Sequence, residues 1–193
     1  MARDLSLFRR LGIRARRDPS GPLHVEPFPQ ICTRGVIRSS VLVLAVDMLG
    51  GFIAESGAGS DWIFTTDLSL RTPALPPPAR LAASGRLLRA GRGLVHCDIE
   101  LRDAASGAEF AYGQTGFLRV PRRHGDPEQP HLHEPVGLDE LTRIDRPLAE
   151  EVGVHVIDAA RGHVEVEMRD ALRNHAGALQ GALAAFVGEV AAE

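Results

Sequence analysis

The longest apolar run in the chain, residues 39–53 (SSVLVLAVDMLGGFI), is broken only by Asp47. Apolar on every side, it predicts a helix buried on most of its surface. It falls short of a bilayer's thickness and carries a carboxylate at its middle, so it reads as a core helix rather than a membrane span. Ser39 and Ser40 suit its start and Gly57 its stop. Residues 61–72 then alternate, which predicts a strand with Trp62, Phe64, Thr66, Leu68 and Leu70 on one face. Pro73 and Pro76–Pro78 break the chain. Residues 80–89, 94–102 and 109–120 follow as three more strands, with turns at Gly91-Arg92-Gly93 and at 104–107. Four strands at hairpin spacing predict an antiparallel sheet, and a long apolar helix ahead of it makes the class α+β.

At Pro121 the pattern changes. Residues 121–146 are rich in Pro, His and charge and read as a linker. The expected organisation is a first domain over 1–120, this linker, and a partial second unit over 147–193. That unit reads as a repeat of the first. Gly35-Val-Ile-Arg38-Ser39-Ser40 aligns with Gly177-Ala-Leu-Gln180-Gly181-Ala182, 142 positions later, and Asp47 with Glu189. Upstream, Leu11-Gly12-Ile13-Arg14 matches Val152-Gly153-Val154-His155, and His24-Val25-Glu26 falls near His163-Val164-Glu165. Each copy reads strand, turn, strand, loop, then an apolar helix with a central carboxylate. The second copy lacks the four strands that follow the helix in the first.

Composition narrows the chemistry. Hydrophobic residues make up 44% and charged residues 24% of 193, the balance of a globular protein. The net charge of −3 offers no general attraction for a phosphate backbone, so no nucleic-acid partner is expected, and no membrane partner either. All 22 basic residues are Arg, which excludes a P-loop lysine, a Schiff-base lysine and an SxxK nucleophile. Two cysteines are too few for a disulfide framework. The Arg-rich N-terminus has no apolar segment of the signal-peptide kind, and a cytoplasmic location is the expectation. His124, His131 and His133 hint at a metal, but a Pro-rich linker with no cysteine is a poor ligand set, and no metal is expected. There is no GxSxG, no Rossmann fingerprint and no P-loop.

The sequence resembles hotdog-fold acyl-CoA thioesterases of the phenylacetate-pathway and 4-hydroxybenzoyl-CoA type. Those carry a motif like N-x-x-G-x-x-H-G-G, then an apolar helix with an acidic residue nine positions after the His. Asn174, Gly177, Gln180, Gly181 and Glu189 stand in that frame, with Gln180 in place of the His. In the first copy Gly35, Arg38, Ser39, Ser40 and Asp47 take the corresponding places. The tandem arrangement is similar to double-hotdog thioesterases. The resemblance implies an antiparallel sheet wrapped around the long helix, and a thioester substrate carried on coenzyme A or an acyl carrier. It implies no further cofactor.

The same resemblance assigns the chemistry. A helix N-terminus has free N–H groups and a positive dipole end, and small residues there let a carbonyl approach. Ser39, Ser40 and Gly181 would serve that purpose, with Arg38, Asn174, Gly177 and Gln180 around them. Asp47 or Glu189 would be general base or nucleophile, each facing the other copy's motif. Arg89 and Arg92 on a hairpin would meet the nucleotide. Plainer roles stand beside these: Asp47 as a buried carboxylate satisfied by hydrogen bonds or by Arg38, Glu189 as a solvated residue, and Arg89 and Arg92 as a solvated turn. Two other functions fit the fold. One is a degenerate hotdog that binds acyl chains or assembles with a partner. The other is a hydratase or dehydratase, which would want a His paired with the Asp. A half-copy with an uncovered apolar helix also predicts a homo-oligomer.

Overall fold

The computed structural model describes residues 7, 10–14, 23–125, 142–173, 177 and 179–193. His131, His133 and Asn174 lie outside them. The elements are β1 (Ile13–Arg14), β2 (Leu23–Val25), β3 (Cys32–Thr33), β4 (Val36–Ile37), α1 (Ser39–Ala58), β5 (Trp62–Arg71), β6 (Leu81–Ala90), β7 (Leu94–Asp103), β8 (Glu109–Val120), α2 (Leu148–Val152), β9 (Val154–Asp158), β10 (His163–Val166) and α3 (Gly181–Ala192).

The long helix begins at Ser39, as its sequence predicts, but runs past Gly57 to Ala58. Gly57 stays helical because it packs against the sheet, where an added Cβ would lie 3.2 Å from that of Ala90. At 20 residues, with a mean hydropathy of 1.6 in its most apolar window, α1 is long enough to cross a membrane, contrary to the shorter run read from sequence. More than half of that window is buried inside the protein. Its apolarity is therefore spent on a core.

That core is one antiparallel sheet curled around α1, in the order β1-β2-β6-β7-β8-β5. Val95, Cys97, Ile99 and Leu101 alternate inward from β7 and are fully buried against the helix. Helix and sheet approach closely where side chains are missing. A Cβ on Gly50 of α1 would lie 2.2 Å from the Thr115 methyl, and one on Gly113 of β8 would lie 2.7 Å from Val46. On the outer face, Asp98 accepts hydrogen bonds from Arg86, Tyr112 and Gln114.

Two expectations fail on β5. Hairpin spacing put it beside β6, but it pairs with β8 at the far edge, so the Pro-rich segment crosses the sheet instead of turning back. Its five predicted residues also do not share a face. A register shift between Thr65 and Asp67 resets the alternation. Ile63 packs on the core before the shift, and Leu68 and Leu70 after it.

The segment 142–146, expected to be linker, is docked. Ile144 is buried in the core and its N–H donates to the Arg10 carbonyl. Val152, Leu172, Ala182, Leu183 and Phe186 join the same core as α1. Two local structures are also built alike in the two halves. Gly12 and Gly153 precede β1 and β9 with φ of 73° and 78°; Gly35 and Gly177 precede the two helix starts with φ of 76° and 84°. The carbonyl of Arg38 accepts from the N–H groups of Val41 and Leu42, and that of Gln180 from those of Leu183 and Ala184.

Gly50→Ala tests the close approach. Helix propensity alone favours Ala by about 1 kcal/mol, but the added methyl meets Thr115, and the expected net loss is about 1–3 kcal/mol. Urea unfolding of Gly50→Ala and of Gly50→Ala/Thr115→Ala checks this. The double variant should recover most of the loss, since it removes the clashing methyl and a buried hydroxyl that has no hydrogen-bond partner among the described residues.

Candidate active site

A helix start leaves its first N–H groups without partners inside the helix. Each long helix starts against the other, α3 in the interior and α1 with Ser39 exposed, and each start is met by a carboxylate of the other helix. Asp47, midway along α1, accepts a backbone hydrogen bond from Ala182 in the first turn of α3. Glu189, late in α3, accepts from the Ser39 N–H at 3.0 Å and from the Ser40 hydroxyl. The two helices therefore run antiparallel. The favourable interaction of each carboxylate with the positive helix end adds to the hydrogen bonds.

The two ends differ in what surrounds the acid. Asp47 is 5% exposed and also accepts from the Thr65 hydroxyl at 2.8 Å. Thr65 faces the helices in phase with Ile63, ahead of the β5 register shift, and a Cβ on Gly181 would lie 2.9 Å from its Cβ. Gly181, having no side chain, lets Thr65 pack closely on the head of α3. Burial pushes the Asp47 carboxyl up to about 6, against the Thr65 hydroxyl and the Ala182 N–H, which pull it down.

Glu189 is held in an ion network. Arg38 reaches it at 3.6 Å, pairs with Glu193 at 2.8 Å, and lies 5.5 Å from the Phe186 ring centre. Arg38 therefore pairs with Glu189 and Glu193, not with Asp47 as one sequence reading had it. Glu189 is not simply solvated, since it caps the start of α1.

The remaining expected site residues divide. Gln180 caps the start of α3 through its carbonyl, with its N–H on the Leu172 carbonyl at 3.1 Å. The Gly177 carbonyl accepts from Arg173 in the turn ahead of it. Arg89 and Arg92 are exposed on the β6–β7 hairpin, whose strand end packs beside Gly57. Gly57 lies ten residues past Asp47, about 15 Å along the helix, so the structure does not bring these arginines to the carboxylate.

Sequence reasoning missed Thr65. The signal was a change of phase: Ile63 and Leu68 are both apolar but cannot share a face of a regular strand. A second acid, Glu55, lies two turns beyond Asp47, and burial pushes it up to about 7. Among the described residues no group of three metal-ligating side chains comes together. A shallow depression of about 520 Å³ lies elsewhere, between the 27–35 segment and Pro77–Ala79.

No family model and no curated protein matches the chain. Solved structures do. AziG of S. sahachiroi aligns with a TM-score of 0.52 at 20% identity, over 58% of this chain and 94% of that one. A thioesterase family protein from Silicibacter pomeroyi aligns at 0.51 and 15%, over 58% and 87%. A thioesterase from Haemophilus influenzae aligns at 0.50 and 13%, over 58% and 80%. At such identities the likeness is one of fold. The chain has the hotdog fold, an antiparallel sheet curled round a long central helix.

The raised pKa of Asp47 sets a pH dependence. Its folded value of about 6 exceeds the ordinary 3.8, so the native state holds the proton more tightly. Stability is unaffected below the lower value, falls as pH rises between the two, and stays lowered above. The difference of about two units corresponds to about 3 kcal/mol. Asp47→Asn should therefore be more stable than wild type by a margin that is near zero at pH 4 and grows by up to that amount by pH 7.5. Urea midpoints of both proteins across this range measure it, and Glu55 cancels because both carry it.

Proposed function

We propose that the protein hydrolyses acyl thioesters, with coenzyme A or an acyl carrier as the thiol. The observation that supports it best is a buried carboxylate, Asp47, aimed at the first turn of a second helix, beside Thr65 and Gly181. The thioester oxygen would take the N–H groups at the head of α3, displacing Asp47 from Ala182. As the carbonyl oxygen gains negative charge, those N–H groups and the helix dipole stabilise it. Asp47 then removes a proton from a water that the Thr65 hydroxyl holds. The water oxygen adds to the carbonyl carbon, the C–S bond breaks, and the thiolate leaves and takes up the proton. The products are a carboxylic acid and a free thiol. A base with a pKa of about 6 is charged at neutral pH yet still basic enough to work.

In this reading the chain is a tandem of a whole hotdog unit and a partial one. The similar glycine turns and helix starts of the two halves support it. Asp47 is the working carboxylate and Glu189 a structural one, because Arg38 and Ser40 already engage Glu189. The tandem also leaves β5 at a sheet edge. We propose that a second copy covers that edge, making a homo-oligomer.

Thiol release from short, long and aromatic acyl-CoAs tests the reaction. Asp47→Asn should lower kcat by about 10²–10⁴-fold, with folding checked by circular dichroism. Thr65→Val should lower kcat with Thr65→Ser close to wild type. Glu189→Gln should stay within a few-fold. The wild-type kcat/KM should rise with pH through about 6. Absence of turnover, or turnover indifferent to Asp47→Asn, would overturn the proposal in favour of a binding or assembly role.

A further inference from the structure

The two units are covered unequally. In the first, β2 pairs with β1 on one edge and with β6 on the other. In the second, β10 pairs with β9, and no strand takes its other edge among the described residues. The helices show the same difference. Along α1, Leu42, Val46 and Gly50 form one buried flank, with Val46 against Gly113 and Gly50 against Thr115 of β8. The positions 142 later on α3 are Ala184, Gly188 and Ala192. They too share a helix face, and all three are exposed. A Cβ on Gly188 would meet nothing within 4 Å. Val156 of β9 shares a face of its hairpin with Val154, Val164 and Val166, yet is 54% exposed. In the first unit the corresponding edge and flank are covered together, by β6 and the strands that follow it.

The sequence of β10 selects what covers them. Two identical antiparallel strands related by a two-fold axis must centre on a residue that faces its own mate, because hydrogen-bonded and non-hydrogen-bonded pairs alternate. Centring on Val164 sets His163 opposite the partner's Glu165, and Glu165 opposite the partner's His163. Centring on Glu165 sets it against itself, and centring on Val166 sets it against Glu167, so both oppose acid to acid. Centring on His163 runs into the 159–161 turn, where the left-handed Gly162 ends the strand. His163 and Glu165 are exposed and lie 3.7 Å apart within one copy. The Val164 register alternates two such histidines with two such carboxylates, and opposed pairs of that kind stabilise an antiparallel ladder.

The helices fit the same arrangement. α3 packs on both strands of its hairpin. Each hairpin is two strands wide, so joining two of them sets the α3 helices about 10 Å apart. That is helix-packing distance, reached most closely where the contact residues are small. Ala184, Gly188 and Ala192 are small and uncharged. We infer that this face docks a second copy of the chain, β10 against β10 about a two-fold axis at Val164, with the bare flanks of the two α3 helices in contact. The interface is separate from the β5 edge and does not depend on thioester hydrolysis.

Sedimentation velocity of the full chain across a concentration series tests it. Wild type should run at twice the chain mass or a multiple of that. Gly188→Arg, in open space, should halve the mass in a fold that circular dichroism shows intact. His163→Glu sets acid opposite acid on both sides of the axis and should weaken assembly at least about tenfold. The exchange His163→Glu/Glu165→His restores the opposed pairs and should return the dissociation constant to within a few-fold of wild type. A second copy on β5 would multiply every mass alike, so the ratio of variant to wild-type mass reads this interface alone. A monomeric wild type would overturn the inference and leave the face to a different polypeptide. An unchanged mass in Gly188→Arg, or an exchange variant that assembles no better than His163→Glu, would overturn it as well.

Discussion

Two helix starts, each packed against the flank of the other helix, must find acceptors for N–H groups that no helix supplies to itself. Here each start takes a carboxylate from the other helix: Asp47 at the head of α3, Glu189 at the head of α1. This exchange fixes the antiparallel order of the helices and their relative slide. It also brings the C-terminal unit onto the core of the first. A buried carboxylate without such partners would be strongly unfavourable, and a buried helix start without an acceptor would be unfavourable too. Each problem is solved by the other.

The exchange is reciprocal in backbone but not in chemistry. At Asp47 the neighbours are a hydroxyl, a glycine and an N–H, none of them charged. Burial therefore dominates, and the acid stays easily protonated. At Glu189 the neighbours are Arg38 and, through it, Glu193. A charged partner holds that carboxylate in place. The same residue class in two equivalent places thus becomes a candidate base at one and a structural cap at the other. The proposed reaction depends on that difference.

The sheet decides which side chains reach the site. The crossing of β5 to the far edge puts it beside β8 instead of β6. Thr65 faces inward with Ile63, and the register shift after it turns Leu68 and Leu70 inward as well. Without that shift Thr65 and Leu68 could not both face the helix. The missing side chains of Gly50 and Gly113 let α1 sit close enough to be enclosed.

Much of this was legible in the chain. The apolarity of α1 on all sides required burial, and one acid in its midst required a partner or a use. Period-two alternation located β7 and β8 to within a residue, because local sterics and burial both act along a strand. The match of Arg38-Ser39-Ser40 with Gln180-Gly181-Ala182 marked two similar helix starts. What the chain could not carry is contact between distant positions. The neighbour of β5, the partner of Arg38 and the inward turn of Thr65 all join residues far apart in sequence. Local periodicity is silent about such pairs. They follow only when one core closes around α1 and each buried polar group takes the partner that lies within reach.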